Sequence, residues 1–101
     1  MVIISKATIR EFTLKHSDSE VPLENWYDVT SQSNWRSFNE MKSTFNSVDA
    51  VGNDRYVFNI KGNDYRLIAL IIFRTRTLFI LFIGTHKEYD KVDASTVVFK
   101  K

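Results

Sequence analysis

Two short segments in the second half of the chain carry side chains that could hold and cleave a phosphodiester. Residues 59–66 read Asn-Ile-Lys-Gly-Asn-Asp-Tyr-Arg, and residues 84–90 read Gly-Thr-His-Lys-Glu-Tyr-Asp. Together they supply ammonium, guanidinium, imidazole and phenol groups at the ends of apolar stretches. Such groups bind phosphate, stabilise negative charge and move protons. The two segments therefore favour chemistry at phosphorus that needs no metal ion.

Arg66 and Lys61 are the cationic candidates of the first segment. An arginine fork can bind a phosphate through two hydrogen bonds and stabilise the charge that builds up during transfer. Arg66 also has an ordinary alternative, which is an ion pair with Asp64 or Glu88. Lys61 flanks a glycine-containing turn, where it can contact backbone phosphates or simply be solvated. Neither residue is decisive alone.

His86, Lys87 and Tyr89 are the candidates of the second segment. An imidazole in water titrates near pH 6.5, which suits proton transfer at neutral pH. A tyrosine can stack on a base or bind a reacting oxygen, and equally it can close a core. Thr85 and Glu88 have capping-box spacing, which predicts a short helix from that point. Free amides there favour an anion, although the two residues can equally serve as caps alone.

Length and composition narrow the class of protein. With 101 residues, of which 44% are hydrophobic and 14% aromatic, the chain can bury one modest core, which predicts a single domain over residues 1–101. The absence of cysteine excludes disulfides and thiolate zinc sites and favours a cytoplasmic setting. No signal peptide is apparent, and the longest apolar run, residues 67–73, is far shorter than the roughly 20 residues that span a bilayer. We expect no membrane partner, cofactor or metal ion.

Charge is distributed unevenly along the chain. Residues 1–50 hold five Lys or Arg against seven Asp or Glu, a net charge of −2, whereas residues 51–101 hold nine against five, a net charge of +4. A polyanion is therefore expected to bind the second half. A pI near 9.0 is compatible with nucleic acid but does not establish it, because many basic domains bind none.

The first half of the chain has helical periodicity. Ser5 is a candidate cap for a first helix, which ends near residues 16–19. A second helix is predicted with Pro22 in its first turn. Its core-type residues stand at helical spacing, namely Leu23, Trp26, Tyr27 and Thr30. Ser37 and Glu40 have capping-box spacing before a third, short helix.

After a predicted loop over residues 46–54, the period changes from helical to β. Three β-rich runs cover residues 55–61, 65–73 and 77–85, and short turns separate them, which predicts an antiparallel meander. Residues 3–4 are a candidate edge strand. The predicted fold class is α+β, with N-terminal helices packed on a small, mainly antiparallel sheet and a short C-terminal helix.

Turn chemistry predicts which side chains meet across the first hairpin. A two-residue loop at residues 62–63 would place Asn59 opposite Arg66. Alternation along the strands would then put Asn59, Lys61 and Arg66 on one face of the sheet. The opposite face would be apolar, with Phe58, Ile60, Tyr65 and Leu67.

The next turn decides how the two segments meet. A two-residue loop at residues 75–76 would bring Arg66 level with Thr85. The second segment would therefore begin beside the first. A slip of one residue would turn this pattern over.

The two segments combine into a pair of motifs, Asn-Ile-Lys-Gly-Asn-x-x-Arg from residue 59 and Thr-His-x-Glu-Tyr-Asp from residue 85. These motifs and the order of elements resemble the HigB family of RelE-like toxins from bacterial type II toxin–antitoxin modules. The similarity runs from residue 3 to about residue 94. It is carried by residues 51–55, 57–63, 65–68 and 84–90.

The resemblance implies a RelE-like fold and a ribosome-dependent mRNA endonuclease that inhibits translation and growth. It also implies a cognate antitoxin of the HigA helix-turn-helix type that holds the toxin inactive. That antitoxin would bind operator DNA, so the toxin would meet DNA only through it. The alternative is a non-catalytic RNA-binding or ribosome-associated module, which would use the same groups for stacking and backbone contacts.

Residues and resemblance together predict cleavage in which the 2′-OH of the mRNA attacks the adjacent phosphorus. Arg66 is assigned to charge stabilisation, His86 to general acid or base catalysis, and Tyr89 to base stacking or orientation. The predicted RNA or phosphate contacts are Asn59, Lys61, Asn63 and Lys87. RelE itself relies on several lysines and arginines, whereas this chain has fewer and adds a histidine. Which group moves which proton is therefore left open.

Overall fold

The structure is a computed structural model that describes residues 1–98, so the last three residues of the predicted domain lie outside it. Its strands are β1 (Val2–Ile4), β2 (Val48–Gly52), β3 (Arg55–Ile60), β4 (Tyr65–Ile72) and β5 (Thr77–Thr85). Its helices are α1 (Lys6–Lys15), α2 (Glu20–Gln32), α3 (Phe38–Thr44) and α4 (His86–Asp90). The predicted α+β class is confirmed, including the short helix after the last strand. In the described part, no helix has the length and apolar character that a membrane crossing requires.

The sheet has the strand order β1-β5-β4-β3-β2. The predicted three-strand antiparallel meander is confirmed as β3, β4 and β5, and β2 adds a fourth antiparallel strand that was not predicted. The predicted edge strand is β1, which pairs in parallel with β5. The loop predicted over residues 46–54 is wrong, because β2 lies there. Within residues 1–98 this strand has a neighbour on one side only, and Asp49 and Ala50 are exposed in it. Its sequence therefore lacks the apolar pattern of a central strand.

The two faces of the sheet are covered differently. One face packs against α1, α2 and α3 and forms the larger core. The fully buried residues of that core include Leu23, Met41, Phe58, Leu67, Leu78 and Ile80. The other face is covered by the segment after β5, where Val57 and Ile68 pack against Ala94. The helical face therefore contains most of the buried apolar residues. At one end of the opposite face the sheet carries polar residues.

The predicted side-chain caps are present at the starts of α3 and α4 and absent at the start of α1. The Ser37 hydroxyl accepts a hydrogen bond from the backbone N–H of Glu40, as expected for a cap. The same arrangement recurs at the start of α4. Ser5 also precedes a helix, but its side chain makes no cap bond and its φ is 78°. The chain turns there directly from β1 into α1, which places Ser5 in the left-handed region.

Candidate active site at the open end of the sheet

The register of the first hairpin is as predicted. Asn59 pairs with Arg66 and Ile60 pairs with Tyr65. Residues 61–64 form the turn, closed by a 3.2 Å hydrogen bond from the backbone N–H of Asp64 to the carbonyl of Lys61. The side chain of Arg66 therefore lies on the face away from the three N-terminal helices.

Lys61 does not join Arg66, so the prediction that the two share a face is wrong. Its φ is 53°, which takes it out of the strand alternation. Its Nζ lies 2.9 Å from Oδ2 of Asp18 and 3.3 Å from a carboxylate oxygen of Asp64. Asp18 also accepts a 2.5 Å hydrogen bond from the Tyr65 hydroxyl, on the helical side of the sheet. The ammonium group is thus already neutralised by two carboxylates.

These contacts shift the titration of all three partners. The hydrogen bond from Tyr65, followed by that from Lys61, lowers the pKa of Asp18. Hydrogen bonds to Asp18 and Asp64 raise the pKa of Lys61. The hydrogen bond to Asp18 also raises the pKa of the Tyr65 phenol, and desolvation adds to the effect. Near neutral pH the cluster therefore holds a carboxylate, an ammonium and a neutral phenol.

The second turn brings Arg66 opposite Gly84 and not opposite Thr85, so that prediction is off by one residue. Two departures from the predicted register cause the change. The connection between β4 and β5 takes up all of residues 73–76, where a two-residue loop was expected. A bulge at Leu81 then shifts the register back by one residue. The second segment still begins beside the first.

Phe82 and Glu88 occupy the space beside Gly84 that a side chain at this position would need. An added Cβ at this position would lie 2.5 Å from Cζ of Phe82 and 3.1 Å from Cβ of Glu88. The Phe82 ring thus lies over the glycine, and the first turn of α4 approaches the strand closely. This close approach carries α4 back over the end of the sheet where Arg66 lies.

Arg66 and Tyr89 are brought together at this end. The guanidinium carbon of Arg66 lies 5.0 Å from the centroid of the Tyr89 ring, a cation–π distance. Nε of Arg66 is shielded from solvent and has no hydrogen-bond partner in the described part of the chain. No carboxylate of residues 1–98 forms an ion pair with Arg66. The guanidinium is therefore oriented by an aromatic ring and carries an uncompensated charge.

Within the described residues, Arg66 does not form the alternative ion pair with Asp64 or Glu88. Asp64 lies against Lys61. Glu88 serves the predicted capping box at the start of α4. Its Oε1 accepts a 2.8 Å hydrogen bond from the backbone N–H of Thr85, and its own backbone N–H donates to the Thr85 hydroxyl at 3.2 Å. Both candidate carboxylates are thus engaged elsewhere.

His86 lies on the same short helix as Tyr89, three residues earlier, so the two side chains project from neighbouring positions of one helix face. Nδ1 of His86 lies 3.4 Å from Oδ2 of Asp90, and the histidine side chain is about half exposed. The carboxylate can orient the imidazole and leave Nε2 directed to solvent. Lys87 is exposed at the adjacent position of the helix.

The two asparagines occupy different surroundings. Asn59 is partly buried and is the cross-strand partner of Arg66, so it lies beside the guanidinium. Asn63 is exposed in the hairpin turn. The structure thus gathers Asn59, Arg66 and Tyr89 at one end of the sheet, with His86 on the helix above. Lys61 is directed away from them.

Three residues of this region were given no role at the site from the sequence. Asp90 stands four residues after His86, and this helical spacing was a usable signal. Gly84 is a glycine directly before a capping box, which indicates a close approach of strand and helix. For Asp18 the sequence gave no signal of its contacts with Lys61 and Tyr65, because these partners lie 43 and 47 residues away.

The described residues offer no metal site of three or more His, Asp or Glu side chains. A cavity of about 630 Å³ lies elsewhere, between α1, β5 and the segment after α4. Its lining includes Ala7, Leu81 and Val92 and none of the predicted site residues. The predicted residues therefore form a surface site at the strand ends.

Comparison with known proteins points to one family. The family described as HigB toxin, RelE-like toxic component of a toxin–antitoxin system, matches residues 19–92. The chain is 34% identical to the mRNA interferase HigB of Escherichia coli O6:H1 over 94 residues, which cover 91% of each chain. It is 26% identical to the mRNA interferase toxin HigB of Escherichia coli K12 over 92 residues, 89% of this chain and 88% of that protein. The mRNA interferase HigB of Shigella flexneri matches to the same extent.

The matched residues 19–92 contain β2 to β5, α4 and every predicted site residue. Helices on a five-stranded mixed sheet, followed by a short C-terminal helix, are consistent with a RelE-like fold. The chain belongs to the HigB family of RelE-like toxins.

Proposed function

We propose that this protein is an endoribonuclease that cleaves mRNA as the toxin of a type II toxin–antitoxin module. Membership of the HigB family and the name mRNA interferase in its relatives support the substrate class. One observation supports the site above all others. The guanidinium of Arg66 stacks on Tyr89 and faces no carboxylate in residues 1–98. Such a charge is available to a phosphate.

In the proposed reaction the mRNA supplies its own nucleophile. The 2′ oxygen attacks the adjacent phosphorus, so the O2′–P bond forms, the P–O5′ bond breaks, and the products are a 2′,3′-cyclic phosphate and a 5′-OH. A base removes the proton of the 2′-OH, and an acid protonates the leaving 5′ oxygen. Arg66 stabilises the charge on the phosphoryl oxygens, and His86 transfers one of the two protons. No step of this scheme requires a metal ion or a cofactor.

The surrounding residues are proposed to hold the strand. One face of the Tyr89 ring is already covered by Arg66, so we assign Tyr89 to orienting the guanidinium. Asn59, Asn63 and Lys87 are proposed to contact the RNA backbone, because they lie around the open end of the sheet. Lys61 could contact a phosphate only by leaving its two carboxylates.

The proposed partners follow from the family. A toxin–antitoxin system contains an antitoxin, and we propose that it is a helix-turn-helix protein of the HigA type. Operator DNA would then be reached only through that antitoxin. We further propose that the substrate is mRNA on the ribosome and that the toxin acts in the cytoplasm.

The test compares three alanine variants in cells and in a translation extract. Arg66→Ala and His86→Ala should each lower cleavage by about 10²-fold or more, which are typical losses for a charge stabiliser and a general acid or base. Arg74→Ala is the matched control, since it removes an exposed arginine from the turn that follows the opposite end of β4. All three variants should still bind the antitoxin.

Mapping of mRNA ends after induction separates the two candidate functions. A nuclease generates new 5′-OH ends, and Arg66→Ala should make them about 10²-fold rarer. A non-catalytic RNA-binding module would stall translation and leave the message intact. Full toxicity of both Arg66→Ala and His86→Ala would show that the site is assigned wrongly.

A further inference from the structure

The tip of the β3–β4 hairpin is fastened to the helical layer by one carboxylate. Asp18 lies in a 3₁₀ turn, Ser17–Ser19, between α1 and α2. One of its oxygens accepts a hydrogen bond of 2.5 Å from the Tyr65 hydroxyl, and the other accepts one of 2.9 Å from Nζ of Lys61. Both ends of the hairpin turn are thus bound to the same side chain.

Tyr65 connects this carboxylate to the sheet. The residue is 7% exposed, and its ring packs against Phe12 with centroids 5.2 Å apart and against His16 at 5.4 Å. Its backbone pairs with Ile60 on one side and with Thr85 on the other. A shift of the Tyr65 side chain would therefore be transmitted to two neighbouring strands.

Arg66 and helix α4, which together form the candidate site, both begin next to Tyr65. Arg66 follows it directly in β4 and projects from the opposite face. Thr85 is the cap of α4, which carries His86 and Tyr89. The position of Tyr65 thus sets the relative position of the guanidinium and the helix above it.

We propose that Asp18 is a positioning residue for RNA cleavage, which fixes the hairpin tip through Tyr65 and Lys61 and so holds Arg66 against Tyr89. The inference rests on the proposed function of Arg66. Loss of the carboxylate leaves the Tyr65 hydroxyl without its partner and leaves Lys61 with Asp64 alone. The turn is then closed by one backbone hydrogen bond and the Lys61–Asp64 ion pair, with no link to the helical layer through Asp18.

Loss of the Asp18 carboxylate should lower the cleavage rate more than it changes the half-saturation concentration. A displacement of about 1 Å in a catalytic group can lower a rate by about 10²-fold. The ring contacts of Tyr65 persist without Asp18, so Arg66 should move by less than about 1 Å. We therefore expect kcat to fall by about tenfold. Because Asp18 is not proposed to touch the RNA, the concentration of mRNA-programmed ribosomes at half-saturation should change by less than about twofold.

The experiment measures cleavage on such ribosomes with Asp18→Ala in two backgrounds. In the otherwise native protein the rate should fall, whereas in the Arg66→Ala background the residual rate should not fall further. Tyr65→Phe keeps the ring contacts and removes the hydroxyl, so it should reproduce part of the loss. Asp28→Ala removes an exposed carboxylate from α2 and serves as the control with native activity. Antitoxin binding and the urea midpoint check that each variant is folded.

The outcomes separate this inference from the proposed function. An unchanged rate in Asp18→Ala, or an equal fractional loss in both backgrounds, would overturn the positioning role while leaving the site intact. A fully active Arg66→Ala variant would overturn the proposed site itself. A loss confined to the background that retains Arg66, with Tyr65→Phe partly impaired, supports the positioning role.

Discussion

Replacing Gly84 with alanine tests whether α4 can pack closely on the sheet only because residue 84 has no side chain. The new Cβ would lie 2.5 Å and 2.8 Å from two ring carbons of Phe82 and 3.1 Å from Cβ of Glu88. Favourable carbon–carbon contacts begin near about 3.5 Å. The Phe82 ring must therefore move by about 1 Å and the first turn of α4 by about 0.4 Å.

Two opposing effects decide the sign of the change in the free energy of unfolding. Alanine in place of glycine restricts the unfolded chain, which stabilises by about 0.4–1 kcal/mol where the site accepts it. Overpacking costs about 1–3 kcal/mol. We expect a net destabilisation of about 1 kcal/mol, because two neighbours must move. The displaced helix should also lower the cleavage rate by weakening the contact between Arg66 and Tyr89.

Urea unfolding of a double-mutant cycle measures this effect. Phe82→Leu removes the ring carbons that would collide, so the double variant should recover a coupling energy of about 1 kcal/mol relative to the sum of the single variants. The cleavage rate of the double variant should also exceed that of Gly84→Ala. A Gly84→Ala protein that is more stable than the parent and cleaves at the native rate would refute the reasoning.

Three further predictions concern stability, each checked by urea denaturation. The hydrogen bonds from Tyr65 and Lys61 lower the pKa of Asp18 below 3.8, so the stability they provide is present above that pH and is lost as the pH falls through the lowered pKa. The unfolding midpoints of the wild type and Asp18→Ala should therefore converge in that acidic range, and a constant difference would contradict the linkage. Thr30→Val should stabilise by about 1 kcal/mol, because the fully buried hydroxyl has no hydrogen-bond partner in residues 1–98. Thr85→Ala should destabilise by about 1 kcal/mol through loss of the α4 cap, and an unchanged midpoint would argue against it.

Local signals were enough to predict most elements and the first hairpin. The spacing of Ser37 and Glu40, and that of Thr85 and Glu88, marked two helix starts because a cap is decided within four residues. The pairing of Asn59 with Arg66 followed from the turn at Gly62, since a short turn sets the register of its strands. These features depend on neighbours in the chain.

Features that depend on distant residues were not predictable. The bulge at Leu81 and the longer turn at residues 73–76 changed the partner of Arg66 by one position. The strand β2 was missed because an edge strand needs few apolar residues. Lys61 was expected beside Arg66, yet Asp18, 43 residues earlier in the chain, holds its ammonium on the helical side. Such long-range contacts leave no periodic pattern.

The central position of β5 has a consequence for biosynthesis. This strand lies between β1 and β4, although residues 77–85 are synthesised after the other four strands. The nascent chain cannot close its sheet until that stretch has left the exit tunnel, because long-range strand pairing must await both partners. The emerging polypeptide should therefore be unable to harm any message, including its own, until β5 has left the tunnel.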